Sequence, residues 1–268
     1  MAATQSDQVE EHYPSYKERR IEEERVILSE ATRRLYWPLE GDFPSAISVL
    51  KPLDEHDRLA SKEELDERVP LFQADTSSWH EIALLPLTEP KVSSIEFSMR
   101  DLDQWEGNWL SRHRDHADTP LAELVTYGDL GDEVRPFRMD GEEDGNWEED
   151  SDTEFVIKCC GTDRPLGKGW KKIQVTPTAG HNFVSIRDYV RVVHPWLMAS
   201  REDIIEAKRV DFESDWAPGG SDWVVTNPST TECEVQLKRS WTRGLVPAKI
   251  DAEHQAKILQ LIGRGAVR

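Results

Sequence analysis

Among the 268 residues, the side chains able to do chemistry form a few small groups. His113 and His116 stand three apart around Asp115, and Cys159, Cys160 and Cys233 are the thiols that could complete a zinc tetrahedron with them. Zinc wants four ligands from tetrahedral directions, and two His supply half of that set. No C-x-x-C accompanies them, so spacing alone favours a polar Arg/His loop (Arg112, His113, Arg114), and neither metal nor other cofactor is expected. Asp140, Glu142, Asp144 and Gly145 match the opening of a calcium loop, but Ser151 falls where a bidentate Glu is required. His181, Asp188 and His194 are the nearest titratable cluster for a His/carboxylate hydrolase. There is no G-x-S-x-G elbow, and Gly167-Lys168-Gly169 and Gly180 lack the spacing of a phosphate-cradling loop. Catalytic residues are therefore not assigned. Arg187, His194 and Trp196 are the binding candidates.

The elements that must position these residues follow from periodicity. Met1–Pro14 reads as a disordered polar terminus. Residues 15–38 read as a charged helix, with Ile21, Leu28 and Leu35 seven apart, Ala31 between them and Pro38 as the stop. Ser61-x-x-Glu64 is a capping box opening a helix that Pro70 ends. Ile95, Phe97 and Met99 alternate as a half-buried strand, and Leu102, Trp105 and Trp109 follow at helical spacing. Thr119-Pro120 suggests another helix start, with Leu121, Leu124 and Val125 as its stripe and Gly128 as its stop. Phe155–Cys159 and Trp170–Thr176 read as strands. Ser185 and Asp188 cap a helix carrying Ile186, Tyr189, Val190, Val193 and Leu197, which Pro195 should end after His194. Ser200 and Asp203 repeat the cap before Ile204, Ile205 and Lys208. Trp223–Thr226 and Cys233–Leu237 are strands, and Asp251 caps a last helix.

Charge narrows the function. Lys and Arg number 33 against 52 Asp and Glu, a net charge of −19, so direct nucleic-acid binding through a basic field is not expected. Twelve of the acids lie in 129–154 against Arg135 and Arg138, and that segment reads as a solvated, disordered loop. No apolar run is long enough for a bilayer, and the N-terminus carries no secretory pattern. Three cysteines, two of them adjacent, imply no disulfide framework and point to a reducing compartment, cytoplasmic or nuclear, rather than secretion.

The segment Gly169-Trp170-Lys171-Lys172-Ile173-Gln174-Val175, continued by Val184-Ser185-Ile186-Arg187-Asp188-Tyr189-Val190, resembles a pattern in uncharacterised fungal proteins: a Trp-led strand W-x-I-x-V, then V-T-V-R-D-V-L opening a helix. Leu87-Thr88-Glu89-Pro90 is similar to a Glu-Pro element of the same proteins, and the likeness covers at most about a third of the chain. It implies a fungal α+β domain of unknown function and carries over no activity.

The expectation is thus an α+β fold. A small, largely antiparallel sheet packs with capped helices in one domain over 39–268, interrupted by the acidic loop 129–154. The expected function is a non-catalytic protein-interaction module with a basic partner. The alternative is an enzyme of hydrolase type using a His/carboxylate site.

Overall fold

The computed structural model describes residues 12–51, 67–116, 119–126, 129–130, 154–169, 171–211 and 223–245. The acidic run from Asp132 to Asp152, the calcium-loop positions 140–151, the Ser61 capping box and the Asp251 helix lie outside them. In chain order the elements are α1 (Tyr16–Ile21), β1 (Ile27–Leu28), α2 (Glu30–Arg33), β2 (Leu35–Tyr36), β3 (Ser48–Val49), β4 (Val69–Pro70), β5 (Phe72–Gln73), β6 (Ser78–Trp79) and β7 (Thr88–Glu89). They continue with β8 (Ile95–Met99), α3 (Arg100–His113), β9 (Ala122–Thr126), β10 (Glu154–Cys159), β11 (Thr162–Asp163) and β12 (Ile173–Val175). The last are α4 (Ile186–Ala199), α5 (Arg201–Asp211), β13 (Trp223–Thr226), β14 (Glu232–Leu237) and α6 (Lys238–Leu245). The fold is α+β.

A four-stranded sheet, β12-β8-β14-β13, forms the middle of the molecule. Its pairings are antiparallel except β8 with β14, which run parallel through Ser98↔Glu232 and Met99↔Cys233. Alternation explains both strands. β8 buries Ile95, Phe97 and Met99, and β14 buries Cys233, Val235 and Leu237. The α4 stripe of Ile186, Tyr189, Val190, Val193 and Leu197 is fully buried against this surface. Tyr189 packs on Phe97 in a tilted contact with ring centres 4.6 Å apart and meets Trp37 edge-on at 5.5 Å. Full burial of such side chains stabilises by about 1.5–3 kcal/mol each before entropy is charged. The main core holds residues from Val26 to Leu237 and so draws on both sides of the acidic segment.

A second, three-stranded sheet, β11-β10-β9, lies beside α3. Arg164, just after β11, bridges to Glu106 on α3 at 2.5 Å and donates to the Val156 carbonyl of β10. Gly169 lies so close to α3 that a Cβ there would stand 2.9 Å from the Leu102 carbonyl oxygen. The hairpin is therefore clamped to the helix at several points. No helix among the described residues is long and apolar enough to cross a membrane.

Several expected elements differ. The charged helix spans only Tyr16–Ile21, secured by a Ser15–Glu18 capping box and ended just before Glu23, which adopts φ 59°. Ile21 is 73% exposed, while Leu28 and Leu35 belong to β1 and β2. Ladder pairing of β1 with β7 and of β2 with β3, and the Ser29 cap on α2, outweigh the seven-residue repeat. The polar terminus is anchored at Tyr13, whose ring meets Phe183 edge-on and lies under the Lys91 ammonium. Thr119-Pro120 opens no helix: residues 122–126 form β9, with Leu121 and Leu124 exposed, because β10 supplies a pairing partner and no surface among the described residues covers a helical stripe. Pro70, expected to end a helix, lies in β4. Pro195 does not end α4, which runs to Ala199. The missing N–H removes one bond in the last turns, and burying Leu197 beyond it offsets that loss. Asp203 does not repeat the Ser185-type cap; its carboxylate receives Lys168 at 2.9 Å.

Candidate metal centre

Helix α3 turns Leu102, Trp105, Trp109 and His113 to the interior, the last three spaced by four residues. His113 ends that stripe. A tight turn over Arg114–His116 then swings His116 round beside it. The opposite wall is the β10–β11 hairpin, closed by the Cys159↔Thr162 pair and the two-residue turn Cys160-Gly161. Both turn residues have positive φ, 52° for Cys160 and 80° for Gly161, as a type I′ hairpin requires. Glycine takes that shape without strain. A cysteine in it costs of order 1–2 kcal/mol, the kind of local strain that gathers at functional sites.

One donor atom from each of His113, His116, Cys159 and Cys160 lies within 4.8 Å of all the others. The two sulfurs are 3.8 Å apart, and the Cys160 sulfur is 3.2 Å from His116 Nδ1. Tetrahedral zinc with Zn–S near 2.3 Å and Zn–N of 2.0–2.1 Å would set S···S at about 3.8 Å and S···N at about 3.6 Å. The sulfur pair already has the spacing of two zinc ligands, and small side-chain shifts bring in the rest.

Hydrogen bonding fixes the state of the buried histidine. Thr162 Oγ1 donates to the Cys159 carbonyl at 2.9 Å, so toward its other neighbours it is an acceptor. Trp109 Nε1–H donates to it at 3.3 Å, and His113 Nε2 stands 3.3 Å from the same oxygen. With the Thr162 hydroxyl turned to the Cys159 carbonyl, the proton of His113 is assigned to Nε2. Its Nδ1 is buried with no hydrogen-bond partner, a bare lone pair of the kind a metal takes. Burial, followed by the charges of Arg112 and His116, pushes the His113 pKa below the usual value and keeps that lone pair free at neutral pH. Burial and the neighbouring Cys160 push the Cys159 thiol up, so metal would displace protons on binding. His113 and Cys159 are buried, and His116 and Cys160 face solvent.

Contrary to the polar-loop expectation, His113 is buried at the end of α3, while His116 is exposed in the turn that follows. Hairpin pairing brings Cys159 and Cys160 across more than forty residues of sequence to the end of α3. A sequence signal existed in the four-residue spacing of Trp105, Trp109 and His113, which marks His113 as inward-facing. Cys233 stands apart: it is buried in β14 against Tyr189 Oη at 3.1 Å, and burial drives its pKa to about 12.

The His/carboxylate cluster does not assemble. His194 Nδ1 accepts the Trp37 indole N–H at 2.9 Å and its Nε2–H meets the Gly41 carbonyl at 3.1 Å, which uses both nitrogens. Asp188 accepts from the Ser185 N–H at 3.0 Å and hydroxyl at 2.6 Å, and from the Thr178 N–H and hydroxyl. Burial raises its pKa and these four bonds outweigh that, holding it below normal, so it is a cap rather than a base. His181 is exposed. Of the other binding candidates, Trp196 packs on the core and Arg187 is half-buried in the first turn of α4, about 10 Å along the axis from His194. Comparison with protein-family models, with curated proteins and with solved structures finds no match to this chain.

Proposed function

We propose that the chain is a zinc-binding, non-catalytic protein that works by contacting a protein partner, with His113, His116, Cys159 and Cys160 as its structural metal centre. The observation that carries this reading is the convergence of four donor atoms within 4.8 Å, one each from His113, His116, Cys159 and Cys160. Two sulfurs and two nitrogens suit zinc above magnesium, calcium or manganese. Four protein ligands close the shell and leave no position for a substrate, which argues for structure rather than catalysis. Zinc held between His116 and Cys159 closes a 42-residue loop, residues 117–158, worth of order 4 kcal/mol of chain entropy by the relation for covalent cross-links.

The pairing of β9 with β10 supports a role for that loop. The cluster lies at the Ala122↔Cys159 end of the ladder, and the acidic segment connects the strands at the Thr126↔Glu154 end. With twelve acids against two arginines in 129–154, the segment would draw a basic protein partner, quickly and in a salt-sensitive manner. Three free thiols suit the reducing cytoplasm or nucleus.

The test is the zinc content of protein purified under reducing conditions, followed by capture of partners at low and high salt. Capture is repeated with chelator and with the acids of 132–152 changed to their amides. Stoichiometric zinc, with a partner lost on neutralisation and at high salt, is the expected result. Failure to take up zinc refutes the centre, and identical partners in every arm remove the acidic segment from the account.

A further inference from the structure

Cys159 and Cys160 are neighbours in sequence with sulfurs 3.8 Å apart. Cys159 is fully buried, whereas Cys160 is exposed at the tip of the β10–β11 hairpin beside His116, which is also exposed. Small polar molecules therefore approach the pair from the Cys160 side. Accessible thiolates with a resolving sulfur alongside are the arrangement on which reversible thiol oxidation depends.

Resting on the reading of the centre as a zinc site, we infer that Cys159 and Cys160 form a peroxide-responsive dithiol whose oxidation to a disulfide expels the metal. In the first step the Cys160 sulfur attacks one oxygen of hydrogen peroxide and the O–O bond breaks. The departing hydroxide takes a proton to become water, leaving Cys160 as a sulfenic acid. In the second step the Cys159 thiolate attacks the Cys160 sulfur, an S–S bond forms and the S–O bond breaks. That hydroxide also leaves as water after taking a proton. Two thiolates, one peroxide and two protons thus give one disulfide and two waters, the sulfurs supplying the two electrons that reduce the peroxide. Zinc loses both sulfur ligands, and two imidazoles do not hold it.

The product should be easily reversed. Adjacent Cα atoms stand about 3.8 Å apart across a trans peptide, short of the roughly 4.4–6.8 Å that an unstrained disulfide spans, so this disulfide is strained. Strained, exposed disulfides are the readily reduced ones. Cys233 provides an internal control, since it is fully buried, bonded to Tyr189 and Asn227, and remote in pairing from the hairpin.

The experiment adds hydrogen peroxide to zinc-loaded full-length protein. A chromogenic zinc indicator, a thiol titration after denaturation and mass mapping of the peptide containing Cys159 and Cys160 are the readouts. Expected are release of the bound zinc, a fall from three free thiols to one, and a peptide lighter by two hydrogens. Dithiothreitol with fresh zinc should restore the starting state, and Cys233→Ala should respond in the same way with one fewer residual thiol. Zinc retained with all thiols intact overturns the inference. So does oxygen added at Cys160 without a disulfide, or a disulfide made to Cys233 or between chains. An untreated sample that never binds zinc defeats the metal centre instead, and the peptide mass of that metal-free protein after peroxide still shows whether the dithiol closes.

Discussion

Replacing Thr162 with Val tests how the centre is organised without touching a ligand. The two side chains have the same shape, so the change removes one oxygen and little else. That oxygen accepts from Trp109 Nε1–H, receives His113 Nε2–H and donates to the Cys159 carbonyl. Trp109 and His113 are buried, so their donors would be left with no acceptor. Without metal, net losses of about 1 kcal/mol per hydrogen bond give a cost of roughly 2–3 kcal/mol. With metal the larger effect is on the ligand itself, because nothing then holds the proton on Nε2 and the lone pair on Nδ1. Loss of such an outer partner typically lowers metal affinity about 10–100-fold. The assay is zinc competition against a chelator of known affinity for wild type, Thr162→Val and Thr162→Ser. The serine variant keeps the hydroxyl and should stay near wild type. A valine variant that binds as tightly as wild type, or a serine variant equally impaired, would refute the hydrogen-bond argument.

Other expectations concern the scaffold. Burial lowers the His194 pKa, against smaller opposing effects of the Gly41 carbonyl and Asp42. A base depressed in the folded state contributes stability that is complete above the unfolded value near 6.5 and is lost as pH falls below it. Urea midpoints of metal-free protein should therefore fall between pH 7.5 and 5.5, by up to about 1.4 kcal/mol per pH unit per proton, and less steeply in His194→Gln; an unchanged slope contradicts the assignment. Asp101 and Lys208 form a buried ion pair at 2.6 Å, and Asp101 also accepts the Val235 N–H at 2.7 Å. Lys208→Met should cost about 3–5 kcal/mol, and adding Asp101→Asn should recover part of it, read by urea denaturation. Gly169→Ala should destabilise by roughly 1–3 kcal/mol through its contact with the Leu102 carbonyl. Gly107→Ala, on α3 with open space at its Cβ, should stabilise by up to about 1 kcal/mol; thermal unfolding of the two variants checks both signs.

The central sheet and its covering helices were legible wherever one period dominated. β8, β14 and α4 follow from alternation and from a stripe with its cap, because their partners bury the side chains that the pattern marks. Local pattern failed where a distant partner decided the conformation. Leu28 and Leu35 fit a helical repeat, yet strands β7 and β3 claim them. Leu121 and Leu124 fit a helical stripe, yet β10 claims β9. The site divides in the same way. His113 continues the spacing of Trp105 and Trp109, and the glycines from Gly161 onward mark a turn after the Phe155–Cys159 strand, although Thr162 and Asp163 pair as β11 within it. What spacing could not supply was the hairpin's register against α3, which puts Cys159 beside His113 and leaves Cys233 in the core.

The most direct test of the account is X-ray absorption at the zinc edge on reconstituted protein, paired with the metal-to-chain ratio. The account predicts one zinc per chain, with two sulfur neighbours at about 2.3 Å and two nitrogen neighbours at about 2.0–2.1 Å, and loss of the sulfur shell in the Cys159→Ser, Cys160→Ser double variant. A first shell of nitrogen and oxygen alone, or protein that takes up no zinc under reducing conditions, would contradict it.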